Sequence, residues 1–203
     1  VFEDGSTQSA VHGWVVCTDP GYAPQTRNVV SIWDDMFDTW VRELELTPDL
    51  YDRAQQIYRS DCEASFETDV LPIFHAALLQ QWNTNLPSKG IKGHQAVGRI
   101  KPADNPKDII PDFKALIRDP NDPKEDDQGV KMPLALGDAK RSFLSLTPTQ
   151  YFLLSQWYES KSNSDALGIG GGEKLDRVVL ENLLGGRFSP GIDLTFIVRD
   201  VHF

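Results

Sequence analysis

Two cysteines in 203 residues are too few for a disulfide framework. They stand far apart, at Cys17 and Cys62, and the reading favours two reduced, buried thiols over a single bridge. No apolar run approaches the roughly 20 residues that a membrane-spanning helix needs. Basic residues are the minority: 20 Lys and Arg face 30 Asp and Glu, for a net charge of -10. A basic face for nucleic acid is therefore missing, as is the positive patch that would hold an anionic membrane. Neither is expected as a partner. The first residue is Val1, and no basic-then-apolar leader follows it. The expected compartment is the cytoplasm, with processing from a longer precursor left open.

The usual catalytic signatures are also missing. There is no G-x-S-x-G elbow for a serine nucleophile and no H-E-x-x-H for zinc. The four histidines, His12, His75, His94 and His202, have no i, i+4 partner among themselves, so no metal site is expected. His75 falls on an apolar helix face and reads as a hydrogen-bonded core residue. GIGGG (168–172) follows a polar linker rather than a strand and lacks the Gly-Lys-Ser/Thr ending of a phosphate loop, so no nucleotide is expected. Asp34, Asp35 and Asp38 read as the exposed side of a helix, and Glu125–Asp127 as loop; both are expected to be solvated.

What is present is a chain of ordinary globular composition, 40% hydrophobic and 25% charged, long enough to bury a core without staples. WVVCT (14–18) reads as a short buried strand before the turn DPGYAP. Trp33, Phe37, Trp40, Val41 and Leu44 recur at helical spacing and predict a helix over about 31–45. Thr47-Pro48 predicts a second, running to about Asp61. A third carries Leu71, Phe74, His75, Leu78 and Trp82 on one face, with Thr68 as N-cap and Pro72 in the first turn. Residues 83–130 are rich in Pro, Gly, Asp and Lys and predict a long loop-rich insertion.

LTPTQYFLLSQWYES is the most orderly segment. Thr147 caps, Pro148 opens the helix, and Gln150 completes a capping box. A flexible linker follows, then a helix over Leu175–Leu184 that stops at Gly185-Gly186. LTFIVRD closes the sequence as an alternating strand. The expected fold is α+β: a mainly helical single domain over 1–203, with a few short strands and long irregular loops. Of the five tryptophans, Trp14, Trp33, Trp40 and Trp82 fit as core aromatics. Trp157 fits less well, because it ends the best-defined helix just before a linker.

Five segments carry a resemblance, in order: WVVCTDPGYAPQTRNVVSIWD, FETDVLPIFHAALLQQW, MPLALGD, LTPTQYFLLSQW and LDRVVLENLLGGRFSPGIDLTFIVRD. Together they resemble the quinoprotein amino-acid oxidases typified by lysine ε-oxidase and glycine oxidase, the LodA-like family. The resemblance covers most of the chain and is weakest over 83–130. It implies that family's scaffold and a cysteine tryptophylquinone built from the family's own Cys and Trp. The family's cysteine falls within Leu-Glu-x-Cys-Val-Gly-Gly, and the matching residue here is Leu183, which has no thiol. The family's Trp lies beyond Phe-x-Pro-Gly-Ile, and this sequence stops at Phe203, shortly after that segment. On this reading both halves of the quinone are missing, and the chain is a degenerate relative. Glu181 and Asp193 match acidic positions near the family's active site.

Three readings follow. The first is a non-catalytic chromoprotein whose pigment is an oxidised, indolone-type tryptophan. Trp157 is the first candidate, with Cys62 or Cys17 as the thiol that attacks an electrophilic indole. Tyr151, Glu181, Leu183, Phe188, Asp193 and His75 are the candidate pocket residues, and no residue is assigned a catalytic role. A covalent pigment, a bound small-molecule pigment and a homo-oligomer are the associations this reading allows. The second reading is an active oxidase whose quinone pairs Cys17 or Cys62 with a Trp and which releases hydrogen peroxide. The third is a structural or storage protein without a ligand.

Overall fold

Local chemistry sets the first helix. The computed structural model describes residues 3–7, 29–82, 86–122, 131–132, 146–159, 162–163 and 171–182. Within them α1 spans Ile32–Arg42. Ser31 caps it: the Ser31 hydroxyl accepts from the Asp34 N–H, and Asp34 accepts from the Ser31 N–H at 2.7 Å. Asp34 and Asp35 in the first turn and Arg42 in the last oppose the helix dipole. The helix stops short of the predicted end, and Glu45 takes a left-handed φ of 57° three residues past it.

The helix predicted from Thr47 to about Asp61 is a β-hairpin instead. A single turn does form, with the Leu50 and Tyr51 N–H groups donating to the Thr47 carbonyl. The chain then extends. β1 (Tyr51–Asp52) pairs antiparallel with β2 (Ile57–Tyr58), Tyr51 opposite Tyr58. The two tyrosine rings pack at 4.8 Å, the type of cross-strand aromatic pair that stabilises a hairpin. Residues 53–56 are polar apart from Ala54, so no apolar stripe sustains a helix, and Gln56 turns the corner at φ 56°.

β3 (Ala64–Ser65) pairs in parallel with β4 (Ser162–Asn163) and leads into a π-helical turn, Phe66–Val70, continuous with α2 (Leu71–Gln80). The side-chain cap is Ser65, not the predicted Thr68; the Thr68 N–H donates to Ser65. Pro72 sits in the first turn of α2, as predicted. The stripe predicted on α2 is rotated. Ile73, Phe74 and Ala76 are buried, whereas His75 is exposed and Trp82 is 75% exposed beyond the helix end. Both residues are thereby removed from the core in which the sequence placed them.

Segment 83–130 contains more regular structure than its composition suggests. α3 (Ser88–Val97) packs on α2, and two one-turn helices follow, α4 (Pro106–Ile109) and α5 (Phe113–Leu116), capped by Asn105 and Asp112. Two glycines weaken α3 as an isolated helix. Packing compensates: His94 is buried and its Nδ1 bonds the Ala77 carbonyl, while Gly98 lies against Leu78.

α6 (Pro148–Tyr158) forms with the predicted capping box, Thr147 and Gln150 exchanging bonds of 3.1 Å. Gln150 also donates to the Val29 carbonyl, tying this helix to the residues before α1. The core lies between α6, α2 and the π-turn, around Trp157, Leu154, Phe74, Phe66 and Val70. Trp157, the tryptophan the sequence placed least firmly, is only 2% exposed; Trp33 and Trp40 are half-buried. α7 (Gly171–Asn182) starts earlier than predicted, taking in glycines read as linker, and its Leu180 is buried. No helix among the described residues is long and apolar enough to cross a membrane. The strands predicted at 14–18 and within LTFIVRD lie outside the described residues, as do Cys17, Leu183, Phe188 and Asp193.

Candidate functional site

A recess of about 230 Å³ opens where α1, the π-turn, α2 and α7 meet. Its apolar wall is Val29, Leu71, Pro72 and Ala76. Its polar wall is Ser31 and Asp34 from the start of α1, Glu67 from the π-turn, His75 from α2 and Glu181 from α7. Two of the predicted pocket residues, His75 and Glu181, are thus brought together. Tyr151 is not with them. It borders a second, wider hollow beside Asp112, Lys114 and Lys131, its ring 5.3 Å from Phe113.

Asp34 is the most perturbed group in the recess. Burial pushes its carboxyl up to about 6, and the negative Glu181 adds to the rise, against the Ser31 bonds and the Arg177 charge. The side chain is half-buried and lines the recess. Asp34, Asp35 and Asp38 are therefore not the solvated face the sequence predicts. Asp35 is 1% exposed. Asp38 accepts from both the Thr149 N–H and the Thr149 hydroxyl, at 2.9 and 2.7 Å.

Behind the recess stands Arg177, a residue the sequence reading passed over. Its Nε donates to Glu181 at 2.6 Å, an i, i+4 pair. Its Nη2 donates to the Thr68 carbonyl. Its guanidinium lies 5.3 Å over the Trp33 ring. Pro72 has no N–H to offer Thr68 four residues back, which favours an outside donor there. Asp69 completes the surroundings. It accepts from the Ser65 N–H and the Thr68 hydroxyl, and burial pushes its carboxyl up.

The chromophore candidates lie elsewhere. Trp157 is sealed against Phe74, ring centroids 5.2 Å apart, and has no share in the recess. Cys62 is half-buried against the same core. Burial, then the charges of Asp69, Asp61 and Glu63, push its thiol up, so it stays protonated near neutrality. Among the described residues no group of three His, Cys, Asp or Glu side chains is arranged to hold a metal ion. The arrangement offers carboxyls, a serine hydroxyl, an imidazole and an apolar wall to a small molecule. Two sequence signals pointed toward it: Ser31-x-x-Asp34 at a helix start, and Arg177 four residues before Glu181.

Comparison with known proteins sharpens this. Residues 133–203 match the family described as L-lysine epsilon oxidase C-terminal domain. The chain is 28% identical to the L-lysine 6-oxidase of Marinomonas mediterranea, over 98% of its own length and 31% of the enzyme's. It superposes on the crystal structure of the L-Lys epsilon-oxidase from the same organism with a TM-score of 0.66 at 26% identity, covering 89% of this chain and 31% of that one. A Schiff base intermediate of that oxidase with L-Lys gives a TM-score of 0.64 at 24% identity, with the same coverage. The chain thus spans about a third of the relatives it matches.

Proposed function

Because the chain belongs to the LodA-like family, whose scaffold is that of the quinoprotein oxidases, we propose that it is a non-catalytic chromoprotein carrying a pigment derived from an oxidised tryptophan. What supports this reading is Leu183, the residue that the sequence resemblance matches to the family's cofactor cysteine. A hydrocarbon side chain makes no thioether, so the family's quinone does not fit the residues at this corner. The described thiol does not substitute for it. Cys62 is held in the unreactive protonated form by burial and by its acidic neighbours.

On this reading the family's scaffold holds colour rather than turning over substrate. Trp157 is the pigment candidate. Its burial, edge-on against Phe74, would shield an oxidised indole from water. The recess beside Asp34 and Glu181 is the place for a small-molecule pigment, should the colour be non-covalent.

The purified protein is expected to absorb visible light, and the band is expected to survive denaturation and dialysis. Its intact mass should differ from the value calculated from the sequence, and Trp157→Phe should fold and be colourless. A colourless wild type overturns the reading. An active oxidase remains the second reading, favoured by the identity to lysine oxidase over 98% of the chain. Hydrogen peroxide released on incubation with amino acids establishes it.

A further inference from the structure

We propose that Arg177 is the pin of an acid-tightened latch: it holds α7 against α1 and the π-turn, and proton uptake by the carboxyl groups packed around it strengthens that hold. Three contacts on three elements make the pin. Within α7 it pairs with Glu181, across to the π-turn it reaches the Thr68 carbonyl, and on α1 it covers the Trp33 ring. Only 14% of its side chain is exposed. Leu180, 1% exposed, anchors the same helix by apolar contact.

The charge around the pin is unbalanced. One guanidinium faces Asp34 from α1, Asp69 from the π-turn and Glu181 from α7, with Glu67 and the His75 imidazole of α2 on the other side of the recess. Glu181 repels Asp34 more than Arg177 relieves it, and burial outweighs both. If α7 lifts, Asp34 regains water and loses Glu181, so its acid strength moves back toward the ordinary 3.8. The docked form therefore binds a proton more tightly than the lifted form. Asp69, raised by burial as well, acts in the same direction. The strengthening of docking is thus complete below about pH 3.8 and is lost as pH rises from there through about 6.

Hydrogen exchange of the full chain, stepped from pH 3.8 to above about pH 6, tests this. After correction for the intrinsic pH dependence of exchange, α7 protection should fall at least about tenfold with rising pH, the equivalent of one pKa unit or more, while α6 stays level. Asp34→Asn should flatten the α7 profile, and Arg177→Met should lower α7 protection at every pH. A level α7 in the wild type overturns the proposal. So does an unchanged slope in Asp34→Asn, or an α6 profile that moves with α7. Should Asp34→Asn fail to fold, the wild type decides alone: the fall in α7 protection must level off as the Asp34 carboxyl 13C shift completes its titration, and a fall that continues well above that titration overturns the latch.

Discussion

Phe74 of α2 meets Trp157 of α6 edge-on, with ring centroids 5.2 Å apart and planes inclined by 69°. This is the favourable T-shaped arrangement, buried at the centre of the core. Trp157→Ala is expected to cost about 3–5 kcal/mol, the range for a large aromatic removed from a core. Urea unfolding measures it, and Trp157→Phe should lose clearly less. A smaller loss for alanine than for phenylalanine would place the tryptophan outside the load of the core.

Asp38 and Thr149 join the first helix to the sixth. Thr149 donates twice to one Asp38 oxygen, and its hydroxyl also lies 3.0 Å from the Tyr58 hydroxyl. Thr149→Val keeps the shape and deletes the hydroxyl, which should cost about 1–3 kcal/mol by leaving buried polar groups short of partners. Thr149→Ser should restore most of it. Equal stability of the valine and serine variants in denaturant titrations would show that the hydroxyl does not matter.

Gly93 within α3 and Gly98 at its C-cap should respond in opposite directions to substitution. A Cβ at Gly98 would stand 2.7 Å from the Leu78 methyls and 2.8 Å from its Cβ, so Gly98→Ala should destabilise by about 1–3 kcal/mol through overpacking. Gly93 has nothing within 4 Å of the same position. Gly93→Ala should stabilise by about 0.5–1 kcal/mol through helix propensity. Thermal melts of the pair read both signs.

His94 should make stability fall in acid. Burial pulls its pKa below the ordinary 6.5, while the bond to the Ala77 carbonyl opposes that shift. As pH drops through 6.5 the unfolded chain takes a proton first, so stability present above that value is lost as the folded pKa is approached. Asp34 acts with the opposite sign in a neighbouring window. The difference between wild type and His94→Asn isolates the histidine, and that difference should shrink with acidification. A constant difference would remove His94 as the cause.

Some of this structure is legible in the sequence, and the reason is locality. α6 declares itself because Thr147, Pro148 and Gln150 settle its start within four residues. α1 is similar, although the aspartates that help it start are also the ones whose burial no helical pattern reveals. Asp38 leaves the surface because Thr149, far along the chain, donates to it. The hairpin at 51–58 is hidden by a real helix-start signal at Thr47-Pro48 that is honoured for one turn only. α3 is hidden by its glycines, which are tolerated because α2 supplies the packing. Of the site, Glu181 was reached by family resemblance and His75 for a wrong reason, as a core residue. Arg177 was missed because its three partners are spread over three elements.

The bond from Thr149 to Asp38 spans 111 residues of sequence, and the one from Gln150 to Val29 spans 121. A ribosome adds about 5–20 residues per second. α1 therefore emerges about 5–20 s before the helix that completes its polar contacts is synthesised. Throughout that interval Asp35, Val41 and the future core side of α2 have no finished surface to meet. The growing chain is most open to chaperones, and most prone to stick to its neighbours on a polysome, in those seconds.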